Sequence, residues 1–218
     1  MAQSFWTPIL LSLQVVIVAS TLAFFLALIA ASFMKKRSFK GKIFVETALM
    51  LPLVLPPTVI GFGLLVLMGR NSWIGRAFEW LFQQPLVFSY WAAVIAATVV
   101  AFPLVFQMIK TGFEEVDTDL EDAARSMGGS ELQVFFYVTL PLAKQALLTG
   151  FVLGFARALG EFGATLMFAG SIPGRTQTVP IAIYLAVETG NQTLAYYWVI
   201  SIIVFSFILL SFVQRAKK

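Results

Sequence analysis

The chain predicts an all-α polytopic membrane protein, and three observations carry that prediction. Hydrophobic residues fill 59% of its 218 positions, charged residues only 12%, and the mean hydropathy is +0.88, far from the averages of soluble domains. Five apolar stretches, Pro8–Met34, Ile43–Gly69, Ser89–Ile109, Ala143–Gly170 and Leu194–Val213, each reach the roughly 20 residues that a helix needs to cross a bilayer. Basic residues, finally, collect on one side of those stretches. The whole of residues 1–218 reads as a single transmembrane domain of about five helices.

The charges set its orientation. Lys35, Lys36, Arg37, Lys40 and Lys42 follow the first stretch, Lys110, Arg125 and Lys144 lie between the third and fourth, and Arg215, Lys217 and Lys218 follow the fifth. The opposite loops carry only Arg70, Arg76 and Arg175. Cytoplasmic loops hold the excess of Lys and Arg, so the N-terminus is expected outside and the C-terminus inside. The first stretch has no basic residue before it, is too long for a signal-peptide core, and has its positive cluster after it. It therefore reads as a retained helix.

The second stretch contains Leu51-Pro52-Leu53-Val54-Leu55-Pro56-Pro57-Thr58. Each proline removes a backbone donor, so freed carbonyls need partners from protein or water. Two readings stand open: kinking for packing, or a broken helix lining a path. The segment after it, Arg70–Phe88, with Trp73, Ile74, Phe78, Trp80, Leu81 and Phe82 at helical spacing, reads as an amphipathic helix in the outer interface.

Between the third and fourth stretches lies a polar island. Asp117, Thr118 or Asp119 can cap a helix there, and Asp119, Glu121 and Asp122 suit the positive end of its dipole. Ala123, Ala124 and Met127 give it a small apolar face. Gly128-Gly129 is a helix stop, Ser130 to Gln133 reads as a capping box opening a second helix, and Pro141 marks the next break.

In the fourth stretch Gly150, Gly154 and Ala158 recur every four residues, and Gly160 and Ala164 repeat the spacing. Such faces let helices approach closely, within a subunit or across a dimer. Arg157 and Glu161, at i and i+4, can pair on one face. Ionisable residues in a span face a bundle interior or a wet cavity, so they form a structural ion pair or line a permeation path. With neither Cys nor His in the chain, disulfides, thiol chemistry and the usual transition-metal ligands are excluded. There is no GxxxxGK[ST] phosphate loop either, so ATP binding in that mode is excluded.

Asp122-Ala123-Ala124, Gly128 and Leu140-Pro141 resemble the "EAA" loop of ABC-importer permeases, with Asp for the usual first Glu and Glu121 just before it. ARALGEFGATLMFAG followed by SIPGRTQTVP, together with LPLVLPPTVIGF, resembles the oxyanion branch of those permeases, most like the molybdate or tungstate members. The resemblance implies a MetI-like permease core that moves the anion by alternating access. It implies a cytoplasmic ATPase-docking loop at about 112–142, carried by Glu121, Asp122, Ala123, Ala124, Gly128, Leu140 and Pro141. It further implies two ATPase copies that use ATP-Mg, a periplasmic-type or lipoprotein oxyanion-binding protein, a homodimer of this chain, and residence in the cytoplasmic membrane. The chain itself would be a conduit and no enzyme, with no cofactor, metal or nucleic acid of its own. Candidate pathway or packing residues are Pro56, Pro57, Thr58, Arg157, Gly160, Glu161 and Gly163. A free carboxylate would repel an anion, so Glu161 reads as the structural partner and Arg157 as the pathway residue.

Two alternatives remain. A sulfate or thiosulfate permease shares much of the pattern. An ion-coupled secondary transporter would carry its own coupling carboxylates, whereas the acidic residues here concentrate in Glu114–Glu131 and leave only Glu161, and Glu46 near a boundary, inside spans.

Overall fold

The computed structural model describes residues 5–35 and 39–216, and every regular element among them is helical. In chain order these are α1 (Trp6–Lys35), α2 (Lys42–Val54), α3 (Pro57–Met68), α4 (Trp73–Phe82), α5 (Tyr90–Glu114), α6 (Thr118–Ser126), α7 (Glu131–Val134), the π-helical turn π1 (Phe135–Thr139), α8 (Leu140–Leu142), α9 (Lys144–Leu159), α10 (Gly163–Ala169), α11 (Val179–Glu188) and α12 (Gln192–Ala216). Lys36, Arg37, Lys217 and Lys218, which carry part of the charge argument, lie outside the described residues.

Small side chains determine which helices form the centre. Ala19, Ala23, Ala27 and Ala31 recur every fourth residue of α1 and are fully buried, a flat ridge one helical face wide. α5 packs on α1 with its own buried Ala92, Ala93, Ala96, Ala97 and Ala101. α9 closes the other side of α5 through Gly150 and Gly154, where a Cβ on Gly154 would stand 2.3 Å from Val105 Cγ2. The glycine spacing read from the sequence therefore serves packing within the subunit. Phe106, Ile109 and Phe113 of α5 fill the remaining core and are fully buried. The later helices are stitched to the first: the Val179 N–H donates to Ser12 Oγ at 2.7 Å, and Trp198 Nε1 donates to the Phe5 carbonyl at 3.0 Å.

α1, α5 and the Gln192–Leu209 part of α12 are each long and apolar enough to cross a membrane. The stretch Ile43–Gly69 is not one straight crossing. α2 and α3 meet at an angle of 116°, because the residue before a proline is pushed out of helical geometry and two such residues come in succession. Leu55 takes ψ 142° before Pro56, and Pro56 takes ψ 136° before Pro57. Pro57 then opens α3 at its first turn, where its missing N–H is harmless.

The stretch Ala143–Gly170 is likewise not one helix. Residues 131–142 and α9 form a pair bent by 70°, with the break at Ala143, two residues beyond Pro141. α9 stops at Leu159, and Gly160 to Phe162 unwind before α10. Sequence hydropathy runs unbroken through this point. Gly160 closes α9, and at the break the Glu161 carboxylate turns forward to accept from the Ala164 N–H at 2.8 Å, a side-chain bond of the kind that competes with helix continuation.

α4 is the surface helix expected of Arg70–Phe88. Ser72 caps it by accepting from the Gly75 N–H at 2.9 Å, and Trp73 and Trp80 stand largely exposed. α3 lies against α10 at Gly61, where a Cβ would meet Met167 Cβ at 2.6 Å and the Ala164 carbonyl oxygen at 2.9 Å. Gly61→Ala is therefore expected to overpack this contact and cost about 1–3 kcal/mol, read as a lowered midpoint of thermal unfolding in detergent.

Candidate functional site

Two regions gather the candidate residues, one at each kind of helix break. The first is the polar island. Asp117 is the cap, its side chain accepting from the Asp119 N–H at 2.9 Å. α6 then runs nine residues and stops before Gly128, whose φ of 90° is open only to a residue without a Cβ at little cost. Ser130 and Gln133 form the capping box of α7 with both reciprocal bonds present. The chain then widens into π1, closed by the bond from Leu140 N–H to the Phe135 carbonyl. Pro141 brings no N–H of its own to that turn, so the wider turn sits where an ordinary one would lack a bond.

Arg125 holds the island together on its outer side. Its guanidinium reaches Asp122 at 2.5 Å and Glu131 at 2.7 Å, bonds that push its pKa further above the ordinary arginine value, Glu131 first. Asp122 and Ala123 are exposed, Ala124 is half-buried, and Gly128 is exposed. Ala124, Met127, Gly129, Gln133 and Tyr137 line a groove of about 400 Å³ between α6 and the α7–π1 turn. Leu140 is half-buried and Pro141 exposed below it.

Glu121 departs from the expected set. The sequence places it beside Asp122 on a docking face, but the structure turns it inward to 3% exposure. There it meets Lys35 Nζ at 2.7 Å and accepts from the Thr139 hydroxyl. The helical register explains the turn, since adjacent residues point about 100° apart. Lys35 and Thr139 are residues that sequence reasoning missed. The only signal for Lys35 was a lysine closing an apolar span.

The second region brings the two interrupted stretches together. Pro56, Pro57 and Thr58 are exposed at the α2–α3 break. A Cβ placed on Gly163 would stand 3.0 Å from Pro57 Cβ, so the α9–α10 break lies directly on the α2–α3 break. Glu161 is buried at 2% side-chain exposure and holds Arg157 Nη1 at 3.0 Å, while Arg157 remains 30% exposed. Gly160 is exposed beside it. Exposed Pro56, Pro57 and Thr58 thus mark one break, and the partly exposed guanidinium of Arg157, paired with a buried carboxylate, lies in the last turn of α9 before the other.

The sequence matches the family described as "Binding-protein-dependent transport system inner membrane component" over residues 23–216. The chain belongs to that family. Among its relatives, the permease protein YvgM of Bacillus subtilis (strain 168), named for molybdenum transport, is 55% identical over 216 residues, covering 99% of this chain and 95% of that protein. The "Molybdenum transport system permease protein ModB" of Haemophilus influenzae is 46% identical over 179 residues, 82% of this chain and 78% of that one. A "Sulfate transport system permease protein CysW" of Synechococcus elongatus is more distant, 37% identical over 169 residues, 78% of this chain and 59% of that one. In fold, this permease superposes on a chain of the inward-facing MetNI methionine ABC transporter with a TM-score of 0.76 at 16% identity, covering 96% of this chain and 92% of that one. The architecture of the permease is therefore the all-helical MetI-like one, in a multi-pass membrane protein.

Proposed function

We propose that this permease is the membrane-spanning subunit of an ATP-driven importer that moves molybdate, or the like-shaped tungstate, into the cell. The observation that carries the reading is the near-full-length likeness to molybdenum permeases, which exceeds the likeness to the sulfate permease. In this reading 1–218 form one permease domain, and the loop at about 112–142 docks an ATPase in the cytoplasm through Asp122, Ala123, Ala124, Gly128, Leu140 and Pro141. Two such chains pair, two ATPase copies bind below them and consume ATP-Mg, and an oxyanion-binding protein delivers the anion from outside the cytoplasmic membrane. The chain holds no cofactor and breaks no bond. Pro56, Pro57, Thr58, Arg157, Gly160 and Gly163 line the path where the two helix breaks meet, and Glu161 balances Arg157.

The deciding experiment is uptake by vesicles carrying the reconstituted complex. ATP-dependent accumulation of radiolabelled molybdate and tungstate, with sulfate much weaker, is the expected result. Preferential sulfate uptake would assign the chain to the sulfate class, and uptake driven by an ion gradient without ATP would overturn the importer reading altogether.

Orientation follows from the same reading. Lys35 and Lys110 form ion pairs at the end of the bundle that carries α6, and basic ends face the cytoplasm. With α2 and α3 counted as one crossing and α9 as another, five segments put the N-terminus outside and the C-terminus inside. The absence of native cysteine makes this testable in intact cells. Cysteine at Ser130 is expected to be shielded from an impermeant thiol reagent, while cysteine at Asn71 or Arg175, both exposed, is expected to label. Thr176 is unsuited as a reporter because it is fully buried. Labelling at 130 from outside would invert the topology.

A further inference from the structure

Glu121 sits on the proposed docking helix yet cannot touch a docked partner. Three elements meet at its carboxylate instead. Lys35, the last residue of α1, places Nζ 2.7 Å from Oε1, Thr139 of π1 donates its hydroxyl to the same oxygen, and Arg125 of α6 stands 3.5 Å from Oε2. Lys35 lies over the Phe113 ring of α5, 6.0 Å from its centroid, and that ring packs edge-on against Phe135 of π1 at 5.8 Å. The cluster therefore gathers the inner ends of α1 and α5, two of the membrane-length helices, around one acidic side chain of the short surface helix.

Burying a carboxylate and an ammonium is expensive, and a helix that only had to bind a partner would gain nothing from it. The arrangement instead makes α6 and the end of α1 move together. Apolar contacts can slide past each other, but a buried, hydrogen-bonded ion pair is either made or broken, and breaking it takes from the buried carboxylate its shortest ion pair among the described residues. We propose that Glu121 is a positioning residue that transmits movement of the docking helix to α1, so that the pair with Lys35 couples the ATPase cycle to opening of the path. This rests on the importer reading above.

The test uses the complete complex in proteoliposomes with its binding protein, and reads molybdate moved per ATP hydrolysed alongside co-purification and thermal stability. Glu121→Gln keeps the shape and an acceptor for Thr139 but loses the charge. Lys35→Met removes the partner from α1, Lys35→Arg preserves the pairing, and Lys35→Met/Glu121→Gln removes both charges. The expected result is intact assembly and ATP hydrolysis, with the transport ratio reduced about tenfold, the usual size of a coupling free energy between sites, in both single variants. The double variant should be no worse than either, and Lys35→Arg should keep the wild-type ratio. An unchanged ratio in Glu121→Gln and Lys35→Met overturns the proposal. So does a fall in hydrolysis and transport by the same factor through lost assembly, which would make the cluster structural only. Absence of ATP-driven uptake by the unmodified complex would instead sink the importer reading, and this proposal with it.

Discussion

Gly128→Val is expected to reach the membrane in normal amounts and to lose its ATPase. Gly128 holds φ 90° and has no atom within 4 Å of a would-be Cβ, so the added Cβ crowds nothing and the strain enters through the backbone. A residue with a side chain in left-handed geometry costs about 1–2 kcal/mol, and the turn can shed that cost by changing course. The angle between α6 and α7 would then change, and with it the shape of the groove that Ala124, Met127 and Tyr137 line. Ala124→Trp tests the same surface by filling the groove and leaving the turn intact. For both variants the measurement is co-purification with the ATPase and stimulation of its hydrolysis. Normal values in both would remove the docking role from this loop.

The second large effect is expected at Arg157 and Glu161, and the structure makes it asymmetric. Glu161 is buried and has two tasks, holding Arg157 and accepting from the Ala164 N–H where α10 begins. Arg157→Gln strands the buried carboxylate and should cost about 3 kcal/mol, the low end for a broken buried pair because Arg157 is 30% exposed. Glu161→Ala loses the pair and the Ala164 acceptor together and should be the most damaging single change. Arg157→Gln/Glu161→Gln removes both charges while the amide oxygen can still accept from Ala164, so it should be more stable than Arg157→Gln. It should nevertheless transport molybdate poorly if the guanidinium draws the anion along the path. Thermal unfolding in detergent and uptake in vesicles separate the two roles, and full transport by the double variant would remove Arg157 from the pathway.

What the sequence made legible was local. Ser130 with Gln133, Asp117 before α6, and Gly128 after it are read from neighbours a few residues apart, and each took the form its chemistry required. The amphipathic α4 and the membrane-length α1 and α5 follow from apolar runs and spacing. Features that depend on remote partners were not legible. Glu121 looked like one more surface acid because Lys35 lies 86 residues away. The prolines signalled a break in the second stretch but not its 116° turn. The interruption at Gly160 was hidden because Gly-Glu-Phe-Gly carries one charge in an apolar run, and the side-chain bond to Ala164 that accompanies the break is seen only in the structure. The meeting of the two breaks, Pro57 on Gly163, belongs to tertiary packing alone.

The stitches between the first helix and the last ones bear on how the protein is made. The Ser12 hydroxyl oxygen accepts from the Val179 N–H, 167 residues further on, and the Phe5 carbonyl accepts from Trp198 Nε1, 193 residues further on. A ribosome delivers α1 to the bilayer first and those partners near the end of synthesis. Until then Ser12 and the Phe5 carbonyl lack the partners the finished fold gives them, and this seam is one that the newest part of the chain closes.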